Sequence, residues 1–188
     1  MADNLLALPD DLLAPVDDGA CAHLENRRVP SVPLVATAGG SVDIATLVGR
    51  TVVYCYPLTG RPGVALPTGW DLIPGARGCT PQACAFRDHH GDLRALGARV
   101  FGLSTQTTAY QREVADRLHL PFPLLSDTDL AFALALRLPV FEVDGLTLIK
   151  RLTLIVEDGR IATVFYPVFP PDKSVDEVIA WLLAHPSG

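Results

Sequence analysis

The sequence predicts an α/β fold in which a central mixed β-sheet is flanked by helices. Three observations favour it. Residues 51–56 form a continuous β-branched and aromatic run, which is typical of a strand covered on both faces. Strand-like and helix-like segments then alternate along the chain. Finally, Asp158-Gly159 separates two apolar runs in the pattern of a β-hairpin, which adds an antiparallel pair to the sheet.

Each element is predicted from its local pattern and from the residues that end it. Strands are expected where β-branched and apolar runs stop at glycine, proline or aspartate, namely at residues 29–36, 51–56, 99–103, 146–156 and 161–166. Helices are expected at residues 44–48, 80–96, 107–118, 131–138 and 175–183. Thr80 is expected to cap the second helix, with Pro81 at its first position.

The domain organisation follows from length and from glycine and proline content. A chain of 188 residues fits one globular domain. Residues 1–28 predict an N-terminal arm that wraps a domain made by residues 29–188. Within that domain, four prolines and five glycines between positions 57 and 78 predict a long loop. Loops of that length inside a compact domain are usually functional or mobile.

Composition excludes several classes of protein. A hydrophobic content of 49% against 19% charged residues excludes general disorder. The formal net charge is −6, and basic residues adjoin only at Arg27-Arg28 and Lys150-Arg151, so we expect no nucleic-acid partner. Apolar runs fall short of the ~18 residues that a membrane span needs. The N-terminus is acidic where a signal peptide is basic. We therefore expect a cytoplasmic protein whose cysteines are reduced at rest.

The chain has four cysteines, and their surroundings differ. Cys55 lies inside a predicted strand and Cys21 in the arm, so both are expected to act as small buried apolar side chains. Cys79 stands where a helix begins, and the free N–H groups and dipole of a helix N-terminus stabilise an anion such as a thiolate. Arg77 adds positive charge nearby. These features fit a reactive thiol and also fit a structural one.

Cys84 follows Cys79 by five residues, and this spacing limits what the pair can do. On an intact helix the two Cα atoms would lie about 8.7 Å apart, whereas a disulfide needs less than about 7 Å. A bond between these cysteines therefore requires the first helical turns to unwind. His89 and His90 follow, so the four side chains also make a candidate metal cluster, although zinc sites favour shorter gaps between cysteine ligands.

The segment Gly78-Cys-Thr-Pro-Gln-Ala-Cys84-Ala-Phe-Arg-Asp88 resembles the active-site helix of the Q-type peroxiredoxins, also called bacterioferritin comigratory proteins. The preceding Val-Val-Tyr-Cys-Tyr-Pro57 resembles the strand that leads into that helix. Residues 150–161 resemble the late strand and hairpin that carry the family's essential arginine. The resemblance extends from about Val29 to Leu183. It implies a thioredoxin-like fold and a thiol peroxidase that needs no metal, haem or flavin.

The resemblance also implies a role for each site residue. Cys79 would be the peroxidatic cysteine and Cys84 the resolving one. Arg151 would hold the thiolate and the peroxide oxygens, and Gln82 would orient that arginine. Hydrogen peroxide or an organic hydroperoxide would convert Cys79 to a sulfenic acid, which condenses with Cys84 into an intramolecular disulfide. A thioredoxin or similar dithiol would reduce that disulfide, in a protein that is a monomer or weak dimer.

One part of the sequence departs from the family pattern. The family has a proline seven residues and a threonine three residues before the peroxidatic cysteine, and these positions are Leu72 and Ala76 here. About 15 extra residues intervene, and we call residues 58–76 the insertion. Thr59 or Thr68 could supply the missing hydroxyl, or a backbone group could replace it, or the role could be lost. The insertion, with Trp70, is either a lid over the pocket or a surface elaboration.

Two other functions stay open. A thiol–disulfide oxidoreductase on the same fold usually has a Cys-x-x-Cys pair, which this chain lacks. A non-enzymatic redox-sensing or metal-binding module would use Cys79, Cys84, His89 and His90.

Overall fold

The computed structural model describes residue 8 and residues 12–186, so the acidic residues of the N-terminus, Asp3, Asp10 and Asp11, lie outside it. The strands are β1 Pro33–Ala36, β2 Ser41–Asp43, β3 Arg50–Cys55, β4 Ala98–Ser104, β5 Leu124–Ser126, β6 Val140–Val143, β7 Leu146–Ile149, β8 Leu152–Glu157 and β9 Arg160–Phe165. The helices are α1 Cys79–Asp88, α2 His90–Ala95, α3 Thr108–Leu118, α4 Ala131–Leu136 and α5 Ser174–Ala184. Short 3-10 turns occur at Ile44–Thr46, Trp70–Leu72 and Pro171–Lys173.

Seven strands form one mixed sheet in the order β2-β1-β5-β4-β3-β8-β9. The three central strands β5, β4 and β3 are parallel, and the outer strands pair antiparallel. Strands β6 and β7 form a separate antiparallel hairpin. The predicted α/β class with a central mixed sheet is therefore confirmed.

The sheet separates two apolar cores, and β3 shows how. Val52 and Tyr54 face the core that α1, α2, α3 and α5 cover. Val53 and Cys55 face the opposite core, which α4 covers together with Leu24 of the N-terminal arm. Because side chains alternate along a strand, one continuous buried run serves both cores. The boundary between arm and domain at residue 28 stays a prediction. None of the described helices combines the length and the apolar composition that crossing a membrane requires.

The strand predicted at residues 146–156 is two strands, so that prediction is wrong. β7 ends at Ile149 and pairs with β6, whereas β8 begins at Leu152 and pairs with β3. Lys150 and Arg151 turn the chain from one sheet to the other. The hairpin prediction is confirmed, because β8 and β9 flank Asp158-Gly159, and both residues have the positive φ that a type I′ turn needs.

The helix predicted to start at Thr80 starts at Cys79, and its N-cap is Gly78 rather than Thr80. Gly78 has φ +97°, a conformation that glycine adopts easily, so the chain enters the helix two residues earlier than a cap at Thr80 would allow. The predicted helix 80–96 also divides at His89 into α1 and α2. The helix predicted at residues 44–48 is only the 3-10 turn at Ile44–Thr46. Strands β2, β5 and β6 were not predicted, because three or four residues are too few to show the alternation of a strand.

The fold brings two distant segments to one edge of the sheet. The insertion and then α1 follow the carboxyl end of β3. Strand β8 runs antiparallel to β3 with Leu152 opposite Cys55, so Arg151 lies at that same end of β3. The N-terminus of α1 and the Arg151 side chain therefore meet over this edge, the usual place for a site in an open α/β sheet.

Candidate active site

The Cys79 thiol is buried at the first residue of α1, where its residue is only 3% exposed. Its Sγ lies 3.2 Å from Nη2 of Arg151, which donates to it. The thiol also lies 3.7 Å from the carbonyl oxygen of Ala76, to which it can donate. A sulfur at a helix N-terminus beside a guanidinium is in a place that stabilises its anion.

Gly78 is required for the backbone to approach this point. A Cβ at residue 78 would lie 2.8 Å from the Leu8 side chain and would overlap Pro171. Together with the positive φ, this crowding leaves no room for another residue type. The tight packing seats the first turn of α1 against the 3-10 turn that precedes α5.

Arg151 is 4% exposed and is held by a ring of acceptors. Its Nη2 lies within hydrogen-bond distance of three consecutive backbone carbonyls, of Gly75 at 3.3 Å, Ala76 at 3.1 Å and Arg77 at 2.9 Å, which share its two N–H groups with the Cys79 sulfur. We call these three groups the carbonyl ring. The planar fork of the guanidinium suits such a set of fixed acceptors, so the side chain has one defined position against the Cys79 sulfur.

Gln82 fixes the other side of the guanidinium. It is fully buried on α1, and its Oε1 accepts from Nη1 of Arg151. Its Nε2 donates to Ser174 Oγ at 3.3 Å, and that hydroxyl donates to the carbonyl of Pro171 at 2.9 Å. The chain of contacts ties Arg151 to the start of α5. Sequence reasoning missed Ser174, because nothing in its local pattern distinguishes it from a serine at the start of a helix.

Cys84 lies farther along α1, half-buried and with a free thiol. Burial raises its pKa, while Arg87 nearby acts in the opposite direction. Helix α1 is unbroken between the two cysteines. An intact helix keeps their Cα atoms about 8.7 Å apart, which is too far for a disulfide.

The other two cysteines are buried apolar side chains, as predicted. Both pack in the core on the far face of the sheet. Burial raises the pKa of Cys21 to about 12 and also raises that of Cys55.

The two threonines considered as substitutes for the missing family threonine make other contacts. The Thr59 hydroxyl donates to Oε1 of Gln106 at 3.0 Å, and Thr68 is exposed with its N–H bound to the Asp144 carboxylate at 2.7 Å. Both candidate threonines are thus engaged elsewhere. The acceptor beside the Cys79 sulfur is the carbonyl of Ala76.

The two histidines of the candidate metal cluster have other neighbours. His89 Nδ1 lies 3.1 Å from the carboxylate of Asp92. The ring of His90 packs 5.6 Å from that of Phe122, centroid to centroid. Across the residues that the structure describes, no three His, Cys, Asp or Glu side chains converge in a way that could hold a metal ion.

A cavity of about 310 Å³ lies beside the site. Its walls are mostly apolar and come from the N-terminal arm, the end of the insertion and strand β6, and Lys150 and Arg151 contribute the charged part. Its lining includes Pro15, Val16, Ile73, Phe141, Arg151 and Pro167.

Comparisons of the sequence with protein families and with individual proteins agree with one another. Residues 24–179 match the family Redoxin. The chain is 30% identical to the chloroplastic peroxiredoxin Q of Gentiana triflora over 81% of its length, a match that covers 64% of the plant protein. It thus spans a little under two thirds of that relative. The chloroplastic peroxiredoxin Q of Sedum lineare is 31% identical over 81% of this chain and 74% of its own.

The fold is also similar to that of solved structures. The peroxidoxin BcpB of Mycobacterium tuberculosis superimposes with a TM-score of 0.71 at 25% identity, covering 88% of this chain and 100% of that one.

Proposed function

The chain belongs to the redoxin family, and from that premise we propose that it is a thiol-dependent peroxidase whose reacting group is the Cys79 thiolate. One observation carries the proposal: the Cys79 sulfur is buried at a helix N-terminus, 3.2 Å from a fixed guanidinium nitrogen of Arg151. Its similarity to proteins named peroxiredoxin Q supports the same activity.

In the first step the Cys79 thiolate attacks one oxygen of a hydroperoxide ROOH. The S–O bond forms as the O–O bond breaks, so sulfur is oxidised by two electrons and the other oxygen leaves as RO⁻. That oxygen takes up a proton and departs as an alcohol, or as water when R is hydrogen. Arg151 stabilises both the thiolate and the negative charge that develops on the leaving oxygen, and it is held in place before the reaction.

In the second step the Cys84 thiol condenses with the sulfenic acid of Cys79. An S–S bond forms and the sulfenic oxygen leaves as water. The start of α1 must unwind for the sulfur atoms to meet, because an intact helix keeps the two Cα atoms about 8.7 Å apart. Unwinding also withdraws Cys79 from Arg151 until the disulfide is reduced.

In the third step an external dithiol of the thioredoxin type attacks the Cys79–Cys84 disulfide. Exchange through a mixed disulfide returns both cysteines to thiols and leaves the reductant oxidised. This cycle requires a compartment in which dithiols are kept reduced, such as the cytoplasm.

The cavity beside Arg151 favours organic hydroperoxides over hydrogen peroxide. Its apolar walls can receive the hydrocarbon group while the two oxygens lie at the guanidinium, and hydrogen peroxide gains nothing from those walls. Val16 is exposed in the free protein and lines the cavity, so Val16→Ser should raise KM for cumene hydroperoxide and leave KM for hydrogen peroxide unchanged. Equal changes for both substrates would count against this preference.

The activity is tested by thiol chemistry on the purified chain. One equivalent of hydrogen peroxide added to the reduced protein should remove two free thiols, and peptide mapping should locate a Cys79–Cys84 bridge. Cys79→Ser should abolish peroxide consumption, whereas Cys55→Ser, at a cysteine that is equally buried, should retain it. A fully active Cys79→Ser protein would overturn the proposal.

The same experiment separates the alternatives. Insulin reduction without peroxide consumption would favour a thiol–disulfide oxidoreductase. Normal multiple turnover in Cys84→Ser would keep the peroxidase but assign resolution to another thiol.

A further inference from the structure

The insertion carries a small apolar core of its own. Trp70, Ala76, Val143 and Leu148 pack together apart from the two cores of the sheet, and we call them the insertion cluster. Trp70 is 3% exposed, and its ring centroid lies 6.1 Å from that of Phe141 on β6. The indole, the largest side chain of the cluster, therefore anchors the insertion on the β6–β7 hairpin.

The anchored turn continues directly into the carbonyl ring. The N–H of Ile73 donates to the carbonyl of Trp70 at 3.2 Å, and the N–H of Ala76 donates to that of Ile73 at 3.1 Å. An ion pair of 3.0 Å between Asp71 and Arg77 spans the same segment from outside. Two successive hydrogen-bonded turns thus connect the indole to the carbonyls that receive Arg151.

We propose that Trp70 is a positioning residue of the active site. By fixing the insertion on the hairpin it holds the carbonyls of residues 75–77 where they place the Arg151 guanidinium against the Cys79 sulfur. The idea rests on the proposed peroxidase function for its catalytic consequence. The proposal gives the insertion a role in the active site, whereas a surface elaboration would have none.

The physical reason lies in how Arg151 is held. An arginine side chain has many rotamers, and the cavity beside it offers space into which the guanidinium can move. Three of its acceptors belong to one short loop, so a displacement of that loop moves all three together. A misplacement of about 1 Å at a reacting centre lowers the rate roughly a hundredfold.

Three variants separate positioning from stability. Trp70→Ala removes the anchor, Trp70→Phe keeps an apolar ring, and Leu72→Ala changes a 75% exposed residue of the same turn as the matched control. Each protein is first checked for folding by near-ultraviolet circular dichroism. The rate constant for oxidation of Cys79 by hydrogen peroxide is then measured, together with the rate of its alkylation by iodoacetamide.

We expect Trp70→Ala to lower the oxidation rate constant roughly ten- to hundredfold, as a displaced guanidinium implies. Trp70→Phe should recover most of the loss, and Leu72→Ala should match the parent chain. Alkylation should slow in the same order, because it reads the contact between guanidinium and sulfur without any peroxide. If the parent chain does not react with peroxide while alkylation still depends on Trp70, the peroxidase proposal fails and the positioning role stands.

A double-mutant cycle with Arg151→Ala provides the decisive comparison. If Trp70 acts through Arg151, then Trp70→Ala should change neither rate further once the guanidinium is gone. A purely structural residue would lower both rates by the same factor in either background. That additive result, or unchanged rates in a folded Trp70→Ala protein, would overturn the proposal.

Discussion

Cys55 and Cys79 lie on opposite faces of the same sheet, and both are almost inaccessible, at 0% and 3% exposure. Cys55 is surrounded by the apolar core under α4, where burial raises its pKa. Cys79 lies among a guanidinium, a carbonyl and the first N–H groups of a helix. Burial alone makes a thiol inert, whereas burial beside a fixed cation prepares it for chemistry.

Cys55 and Cys79 have identical side chains, so their different surroundings come from the elements that carry them. Cys55 lies on a strand, and Cys79 lies where a long loop passes into a helix. Cys55 is the last residue of β3, and its side chain follows the alternation into the far core. Cys79 comes after the insertion, where α1 begins over the sheet edge that also receives Arg151. The chain thus uses the same residue type as filler on one face and as a candidate nucleophile on the other.

The largest expected effect on the contrast between Cys55 and Cys79 comes from removing the guanidinium of Arg151. Arg151→Met should lower the rate constant for oxidation of Cys79 by peroxide by about 10²–10³-fold, the usual loss when a fixed charge-stabilising donor is removed. Arg94→Met, at an exposed arginine of α2, is the matched control and should leave the rate unchanged. Stopped-flow measurement with hydrogen peroxide gives both values. An Arg151→Met protein with the parent rate would mean that the helix N-terminus alone activates Cys79.

A second change tests whether the tight approach at the start of α1 is needed. Gly78→Ala should destabilise the protein by at least about 2 kcal/mol, because the new Cβ overlaps Pro171 in a strained backbone conformation. Gly91→Ala lies on α2 with open space around the added carbon, so it should be neutral or stabilising by up to about 1 kcal/mol. Urea denaturation measures the two free energies of unfolding. Equal stability of the two variants would show that the first turn of α1 moves to accommodate the added carbon at little cost in free energy.

The sequence predicted the cores of the fold better than its connections. Buried β3 and the hairpin around Asp158-Gly159 are confirmed because their signals are local: a β-branched run and a two-residue turn. The break after Ile149 was not predictable in this way, because β7 and β8 differ only in which strand each one pairs with. That choice depends on tertiary contacts that a single run of apolar residues does not contain.

The candidate site likewise has parts that the sequence predicted and parts that it did not. The structure brings Cys79, Gln82 and Arg151 together. The local sequence pattern singled out Cys79, and the family resemblance singled out Gln82 and Arg151. The carbonyl ring and Ser174 were not foreseen. Backbone carbonyls carry no residue signature, and their position depends on the path of the insertion and on its packing against the β6–β7 hairpin. The catalytic roles of the three side chains remain predictions that the variants above can test.

The smallest expected effect concerns the pH dependence of Cys84 and Cys21, the two thiols at which burial outweighs the nearby cations. Burial disfavours the anion, so the pKa of Cys84 is raised and that of Cys21 reaches about 12. Below its pKa, the thiolate fraction of such a group grows about tenfold per pH unit, so alkylation in a Cys79→Ser protein should accelerate steadily from pH 7 to 9. Half-buried Cys84 should react faster than Cys21 throughout, as peptide mapping after iodoacetamide treatment would show. A Cys84 rate that levels off below pH 8 would mean that Arg87 outweighs burial at this thiol.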